Sequence, residues 1–387
     1  MKNDLPHQVV AVVGSSHACV SAPVLALTHA ARAASLTAHV YRHSDAQPPI
    51  EPLLFVCPEK FLPHAEITTP RRHHTVLACP TSGRPQLGPT APLWLADTAV
   101  WVVAPDELGL EPADTLLQTL RGAGLSLAAV WIQAATQHPD LDFYIRHLRE
   151  NLCLHNYDGD AIPILCAPAL IPPGQAPKAF DQTLSAALTL LEHLDHAPLS
   201  DSPETSGTPW LSLGDARRLK PTETYVVARL RRGRLTTLAK LQLTRELFGV
   251  EKVVTRVLQR RGGQPPDKEI LAGEIVWMHV EHRNRVRVVP GMYLFEDSAS
   301  FQRAQKWEVA LDPWGELSNR VLLCVAGLKA WADVAHHADN RATLTCTTNM
   351  YMPVSTPFHL SVGGQIVAVG HVTRPMPAGA ATSRTGG

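Results

Sequence analysis

Near Pro209 the hydrophobic pattern of this chain changes period, and no single architecture suits both halves. Before that point short apolar runs alternate with helical patterns. "QVVAVVG", "HHTVLACP", "TAVWVVAP", "SLAAVWIQA" and "IPILCAP" read as strands. "APVLALTHAARAA", "PADTLLQTLRGAG", "DLDFYIRHLRENLCLH" and "AFDQTLSAALTLLEHLDHA" read as helices. Strands separated by helices need crossover connections, which predicts a mostly parallel, doubly wound α/β sheet. Beyond Pro209 the runs are short, β-like and separated by turns. "TYVVARLRRG", "GVEKVVTRVLQRR", "EIVWMHVEH" and "GMYLFE" form one group; "KWEVALDP", "NRVLLCVAG", "KAWADVAHH", "NRATLTCTTN", "TPFHLSV" and "QIVAVGHV" belong to a second. Two small all-β barrels are expected from them. The predicted organisation is an α/β domain over 1–198, a Pro/Ser-rich linker over 199–208, barrels over 209–297 and 298–375, and a disordered tail over 376–387.

The opening stretch "VVAVVGSSHACVSAPVLALTHAARAA" sets the chemical question. A buried strand, a turn at Gly14 and a helix is the layout of a phosphate-cradling loop. Such a loop needs glycines that let backbone N–H groups turn inward and a lysine that meets the phosphates. This turn holds Ser15, Ser16, His17, Ala18, Cys19 and Val20 instead. Ser21 and the exposed N–H groups of the helix start are all that remains there to meet an anion.

Composition narrows the other options. No run of about 18 apolar residues occurs and no signal-type segment opens the chain, so a cytoplasmic protein with no membrane role is expected. Seven cysteines without C-x-x-C spacing fit reduced thiols better than disulfides or zinc. The 19 histidines lack metal-site spacing, so no metal is predicted; His279 and His282 should point to opposite faces of one strand. No catalytic nucleophile set can be picked out by spacing, and Cys79 fits core packing. Net charge is zero overall, yet Asp215 to Pro290 carries 17 Lys plus Arg against 8 Asp plus Glu. A basic first barrel invites a phosphate-rich partner.

Four stretches in order resemble elongation factor Tu and its relatives among the translational GTPases, over about Val9 to Val372. "TPRRHHTVLACP" is similar to the family's T-P-T-R-H-Y-x-x-V-D-C-P, and "RLRRGRL" to its G-R-V-E-R-G segment. "LAGEIVWMHVEHRNRVRVVPGMYL" resembles its A-G-x-x-V-G run, and "MPVSTPFHLSVGGQIVAVGHV" its closing hairpin. The resemblance implies a P-loop GTPase-like domain followed by the family's two barrels.

Laid on the family's G-H-V-D-H-G-K-T loop, Gly14 keeps the first glycine and Ser21 the Mg²⁺-binding hydroxyl. Ser15 and His17 fall within that loop, Cys19 replaces the second glycine, and Val20 replaces the lysine. The D-C-P-G-H element becomes Ala78, Cys79, Pro80, Thr81 and Ser82, without its aspartate, glycine or histidine. The guanine-reading N-K-x-D aligns with Gln133 to Thr136 and lacks the aspartate. The region matching switch I, roughly Gln47 to Glu66, lacks R-G-I-T. The resemblance therefore implies a vestigial nucleotide site, with no catalytic residues and no cofactor.

In the barrels, Arg231, Arg232, Arg234, Arg283, Arg285 and Arg287 are candidates for RNA contact, with Glu251 and Glu274 on the family's acidic positions. Ile275 stands where the family has the asparagine that helps hold the aminoacyl group. The expected function is a pseudo-GTPase that binds tRNA, the ribosome or a protein partner of elongation factor Tu, with no DNA role. Two alternatives stand beside it. One is a divergent working GTPase using GTP and Mg²⁺, with Lys60 as a conceivable replacement for the lost lysine. The other is a scaffold or decoy with no RNA role.

Overall fold

The computed structural model describes residues 5–15, 17–41, 64–80, 91–105, 111–134, 138–168, 177–197, 206–245, 249–260, 269–283, 286–296, 301–326, 328–336 and 340–376. The first region is a seven-stranded sheet of β1 (His7–Gly14), β2 (Thr37–Tyr41), β3 (His64–Thr68), β4 (His73–Pro80), β5 (Thr98–Val103), β6 (Ser126–Ile132) and β7 (Ile164–Cys166). The strands lie in the order β2-β3-β4-β1-β5-β6-β7. From β4 to β7 they are parallel; β2 and β3 run antiparallel at one edge.

Among the described residues, four α-helices cover the sheet: α1 (His17–Ala33), α2 (Glu111–Gly122), α3 (Leu141–Leu154) and α4 (Pro177–His196). Every residue of β1 is buried, as its unbroken apolar run requires of a central strand covered on both faces. Alternation then assigns the faces. Val10 and Val12 join Val24, Leu27, Leu190 and Leu194 of α1 and α4. Val9, Ala11 and Val13 join Leu117, Leu120, Leu148 and Leu152 of α2 and α3.

The second region contains β8 (Trp210–Lys220), β9 (Glu223–Arg232), β10 (Arg234–Thr236), β11 (Leu238–Arg245), β12 (Gly249–Arg260), β13 (Glu269–Leu271), β14 (Ile275–His282) and β15 (Tyr293–Phe295). Six of them close a barrel in the order β11-β12-β14-β9-β8-β15, and β10 pairs with β13 in a small ribbon. The third region has β16 (Gln302–Pro313), β17 (Arg320–Val325), β18 (Leu328–His336), β19 (Arg341–Met352), β20 (Pro357–Val362) and β21 (Gln365–Met376), closed as β16-β19-β18-β17-β20-β21. One apolar cluster runs through both barrels, from Leu211 and Val226 to Trp307 and Phe358. The expected α/β-then-two-barrels class is the one observed. Sequence patterning missed β2, β3, β8, β10, β11 and β13; β10 and β13 are three residues each, and the other four carry polar residues between the apolar ones, which blurs a short strand's signal.

Most of the expected linker, residues 198–205, and of the expected tail, residues 377–387, lie outside the described residues. Met376 is the last residue of β21.

Candidate functional site

At the carboxyl end of the sheet β1 sits between β4 and β5, and the helices that follow β1 and β5 pack on opposite faces. That change of direction opens the crevice where doubly wound folds bind ligands. Gly14 and Pro80, the last residues of β1 and β4, are register partners there. Gln133 follows β6, half-buried, and its N–H donates to Val103 O at 2.9 Å.

The connection between β1 and α1 is only Ser15 and Ser16, because the strand ends at Gly14 and the helix begins at His17. His17 and Cys19 are thus in the first turn of the helix. Val20 is fully buried and shares a core with Val10, Val12 and Val24. Ala78 of β4 is buried in the same cluster. Cys79 is buried on the other side of the sheet, with Val13 and Trp101. Ser21 is half-buried. Ser16, Thr81, Ser82, Thr136, Lys60 and most of the region matching switch I lie outside the described residues.

The opposite end of the sheet is polar. Asp97, just before β5, accepts the Val9 N–H on Oδ2 at 2.8 Å. Arg229 of β9 forks onto it, Nη1 to Oδ1 at 2.6 Å and Nη2 to Oδ2 at 2.7 Å. The same guanidinium donates to Leu95 O at 2.7 Å and to Gly273 O at 3.1 Å. Its side chain is 3% exposed. A bidentate, charge-assisted pair of this kind is the stronger class of hydrogen bond. His7 Nδ1 donates to the same Gly273 O at 2.6 Å, so the start of β1 is also tied to the first barrel. Gly214 lies so close to Leu95 that an added Cβ would come within 2.4 Å of Leu95 Cδ1.

Behind His7 lies a buried network. His7 Nε2 is 2.7 Å from Thr75 Oγ1, which donates to Glu66 Oε1 at 3.0 Å. His73 bridges Glu66 and Thr68, with Nε2 2.5 Å from Glu66 Oε2 and Nδ1 2.8 Å from Thr68 Oγ1. Donor atoms of His7, Glu66 and His73 lie within 4.8 Å of one another, close enough to hold a metal ion. Spacing could not reveal this trio, which is assembled from three strands. Each ring nitrogen of the two histidines already has a protein partner, so the trio is complete as a hydrogen-bonded network.

The stretch "TPRRHH" now has a structural reading. Thr69 Oγ1 accepts from the Arg72 N–H at 2.9 Å and closes the β3–β4 turn. Arg72 Nη1 donates to Leu194 O at 3.1 Å at the end of α4. His74 Nε2 and Thr69 Oγ1 each lie 2.7 Å from Asp195 Oδ1. Burial raises the Asp195 pKa, but the hydrogen bonds from His74 and Thr69 and the His74 and Arg72 charges outweigh it. The carboxyl is held below its usual range.

The barrel candidates disperse. Arg231 points, like Arg229, from the outer face of β9 toward the first domain: Nε donates to Ser212 Oγ at 3.0 Å, Nη2 donates to Trp94 O, and Nη1 is 3.9 Å from Asp97. Arg229 and Arg231 share one face of β9, and Asp97 and the carbonyls of Trp94 and Leu95 cover it. Arg232 is half-buried beside Gly207. Arg234 is exposed and pairs with Glu269 at 3.2 Å. Glu251 and Glu274 are buried. Arg283 and Arg287 are exposed, and Arg285 lies outside the described residues. Ile275 is buried in the core it shares with the first domain. His282 is buried and His279 half-buried, on opposite faces of β14 as expected.

No protein-family model matches the sequence, and neither does any curated protein. Among the solved structures that share its architecture are two of one translation factor. Translation elongation factor SelB from Methanococcus maripaludis, in complex with the GTP analogue GppNHp, superposes with a TM-score of 0.65 at 12% identity; the alignment covers 97% of this chain and 80% of that one. The same factor in its apo form gives 0.72 at 14% identity, covering 97% and 81%. At such identities the likeness establishes the fold: a GTPase-like mixed sheet followed by two closed six-stranded barrels, the architecture of SelB.

Proposed function

We propose that this protein is an elongation factor Tu-like pseudo-GTPase that neither binds GTP tightly nor hydrolyses it, and that acts by binding RNA on the ribosome. The observation that carries the reading is Val20. It occupies the position of the phosphate-binding lysine and is fully buried among Val10, Val12 and Val24. Without that lysine a triphosphate loses its main protein cation, and a valine offers no donor in its place. Ala78, where the family has its metal-linked aspartate, lies in the same apolar cluster and offers no carboxylate. A two-residue connection from β1 to α1 also leaves little backbone to wrap around phosphates.

A protein without a γ-phosphate switch does not cycle by hydrolysis. Its domain arrangement is then held by contacts such as Arg229–Asp97. The basic first barrel and the translation-factor fold favour RNA as the partner.

Calorimetric titration of nucleotide-free protein with GTP and with GDP, each with Mg²⁺, tests the reading. No heat of binding and no thermal shift are expected. Micromolar or tighter binding of either nucleotide would overturn it in favour of a working, divergent GTPase. Co-sedimentation with ribosomes tests the second half, and its absence at low salt would favour a scaffold.

A further inference from the structure

The first barrel carries a further set of cations, of which only Arg283 is among the arginines discussed above. β11 and β12 pair antiparallel with Leu238 opposite Arg256, Lys240 opposite Val254 and Gln242 opposite Lys252. Lys240, Lys252 and Arg256 are all exposed on the outer face of this hairpin. Each faces an uncharged residue across the ladder, so Lys240 is the diagonal neighbour of both Lys252 and Arg256, at roughly 7–8 Å. Leu238 and Val254 are interleaved with them, 59% and 38% exposed. Arg283, also exposed, directly follows His282, the register partner of Val253, and so extends the row beyond Lys252.

Some exposed cations elsewhere are paired, Lys220 with Glu223 at 3.0 Å, Arg234 with Glu269 at 3.2 Å and Arg374 with Glu308 at 2.6 Å, while others such as Arg287, Lys306 and Lys329 stand apart from one another along the chain. Among the described residues, the side chains of Lys240, Lys252, Arg256 and Arg283 have neither a hydrogen bond nor an ion pair. The nearby carboxylate, Glu281 opposite Val254, pairs with His279 at 3.6 Å. Like charges held as diagonal neighbours repel, and the single carboxylate of Glu281, already shared with His279, offsets only part of this. A polyanion laid along the hairpin would offset the rest. Lysines act as point-charge phosphate binders that read charge rather than sequence, and they suit a surface built on a regular two-stranded ladder.

We propose that the outer face of β11–β12, with Lys240, Lys252 and Arg256 at its centre and Arg283 at its end, is the surface that binds the phosphate backbone of RNA. The proposal rests on the RNA-binding reading above and assigns the contact to this hairpin rather than to "LRRGR". An acidic protein segment is the competing occupant.

The test compares full-length wild type with the Lys240→Ala/Lys252→Ala/Arg256→Ala variant, using a fluorescein-labelled RNA hairpin and anisotropy across a range of KCl. Three lost phosphate contacts should make the slope of log K against log[salt] shallower by about 2–3 and weaken binding by at least about tenfold at moderate salt. A control variant on the second barrel, Arg320→Ala/Arg341→Ala/Arg374→Ala, should keep the wild-type slope. An unchanged slope in the hairpin variant, with wild type binding RNA, would overturn the surface and leave the RNA reading intact. Absence of RNA and ribosome binding by wild type would overturn both. Intact RNA binding in the hairpin variant with loss of binding to a polyglutamate probe would replace the proposal with an acidic protein partner.

Discussion

The two ends of the first-domain sheet differ in kind. At the amino end, His7, Glu66, His73, Thr75, Asp97 and Arg229 form a nearly continuous buried polar network that reaches into the first barrel. At the carboxyl end, the crevice where doubly wound folds place their ligands, Val20 and Ala78 are packed into apolar core. Buried charge therefore joins the amino end to the neighbouring barrel, while apolar packing encloses Val20 and Ala78 near the carboxyl end. Buried charges at the seam are costly to unpair.

Removing one partner of the seam is the sharpest way to break this comparison. Arg229→Met leaves the Asp97 carboxylate without its bidentate partner and should cost about 3–5 kcal/mol in urea unfolding. Adding Asp97→Asn to that variant should recover part of the loss. A loss below about 1 kcal/mol in the single variant would show that the amino-end network is not what holds the domains together.

Acid titration separates the contact of α4 with the β3–β4 turn, inside the first domain, from the contact between α2 and the second barrel. Burial, helped by the charge of Lys329, pushes His359 down to about 4, and an added Cβ at Gly122 would lie 2.8 Å from its Nδ1. The folded state favours the neutral ring, so this stabilisation is full above the unfolded pKa of about 6.5. It is lost as pH falls toward about 4, by about 3 kcal/mol at most. Asp195 acts in a lower window: its depressed pKa stabilises the fold above the usual carboxylate range, and that contribution is lost as pH falls through the folded value. His359→Gln should flatten the upper part of the stability–pH curve and Asp195→Asn the lower. Curves that superpose on wild type would refute both assignments.

At the carboxyl end, Val20→Lys places an ammonium among Val10, Val12 and Val24. It should destabilise by on the order of 2–3 kcal/mol without creating GTP affinity. Recovered nucleotide binding in this variant would show instead that the pocket is intact apart from its lysine. The smallest effect is expected far from both ends. Arg374 is 69% exposed against Glu308, and Arg374→Ala should change stability by less than about 1 kcal/mol in thermal unfolding.

Much of the architecture was legible in the chain itself. The unbroken apolar run of β1 could only be a strand buried on both faces, and the change of period at Pro209 separated the sheet from the barrels. Local pattern also placed the β1–α1 turn, since strand, Gly14 and helix follow one another directly. It could not say that Val20 turns into the core, nor that Arg231 turns inward to Trp94 while Lys240, Lys252 and Arg256 remain exposed. Alternation along a strand fixes which residues share a face, but what covers that face depends on elements distant in the chain. Asp97 and Arg229 are 132 residues apart, and His7 and Gly273 are 266 apart. The sequence determined the elements and their order through periodicity. Only the tertiary structure decided which charges are buried together and which face solvent.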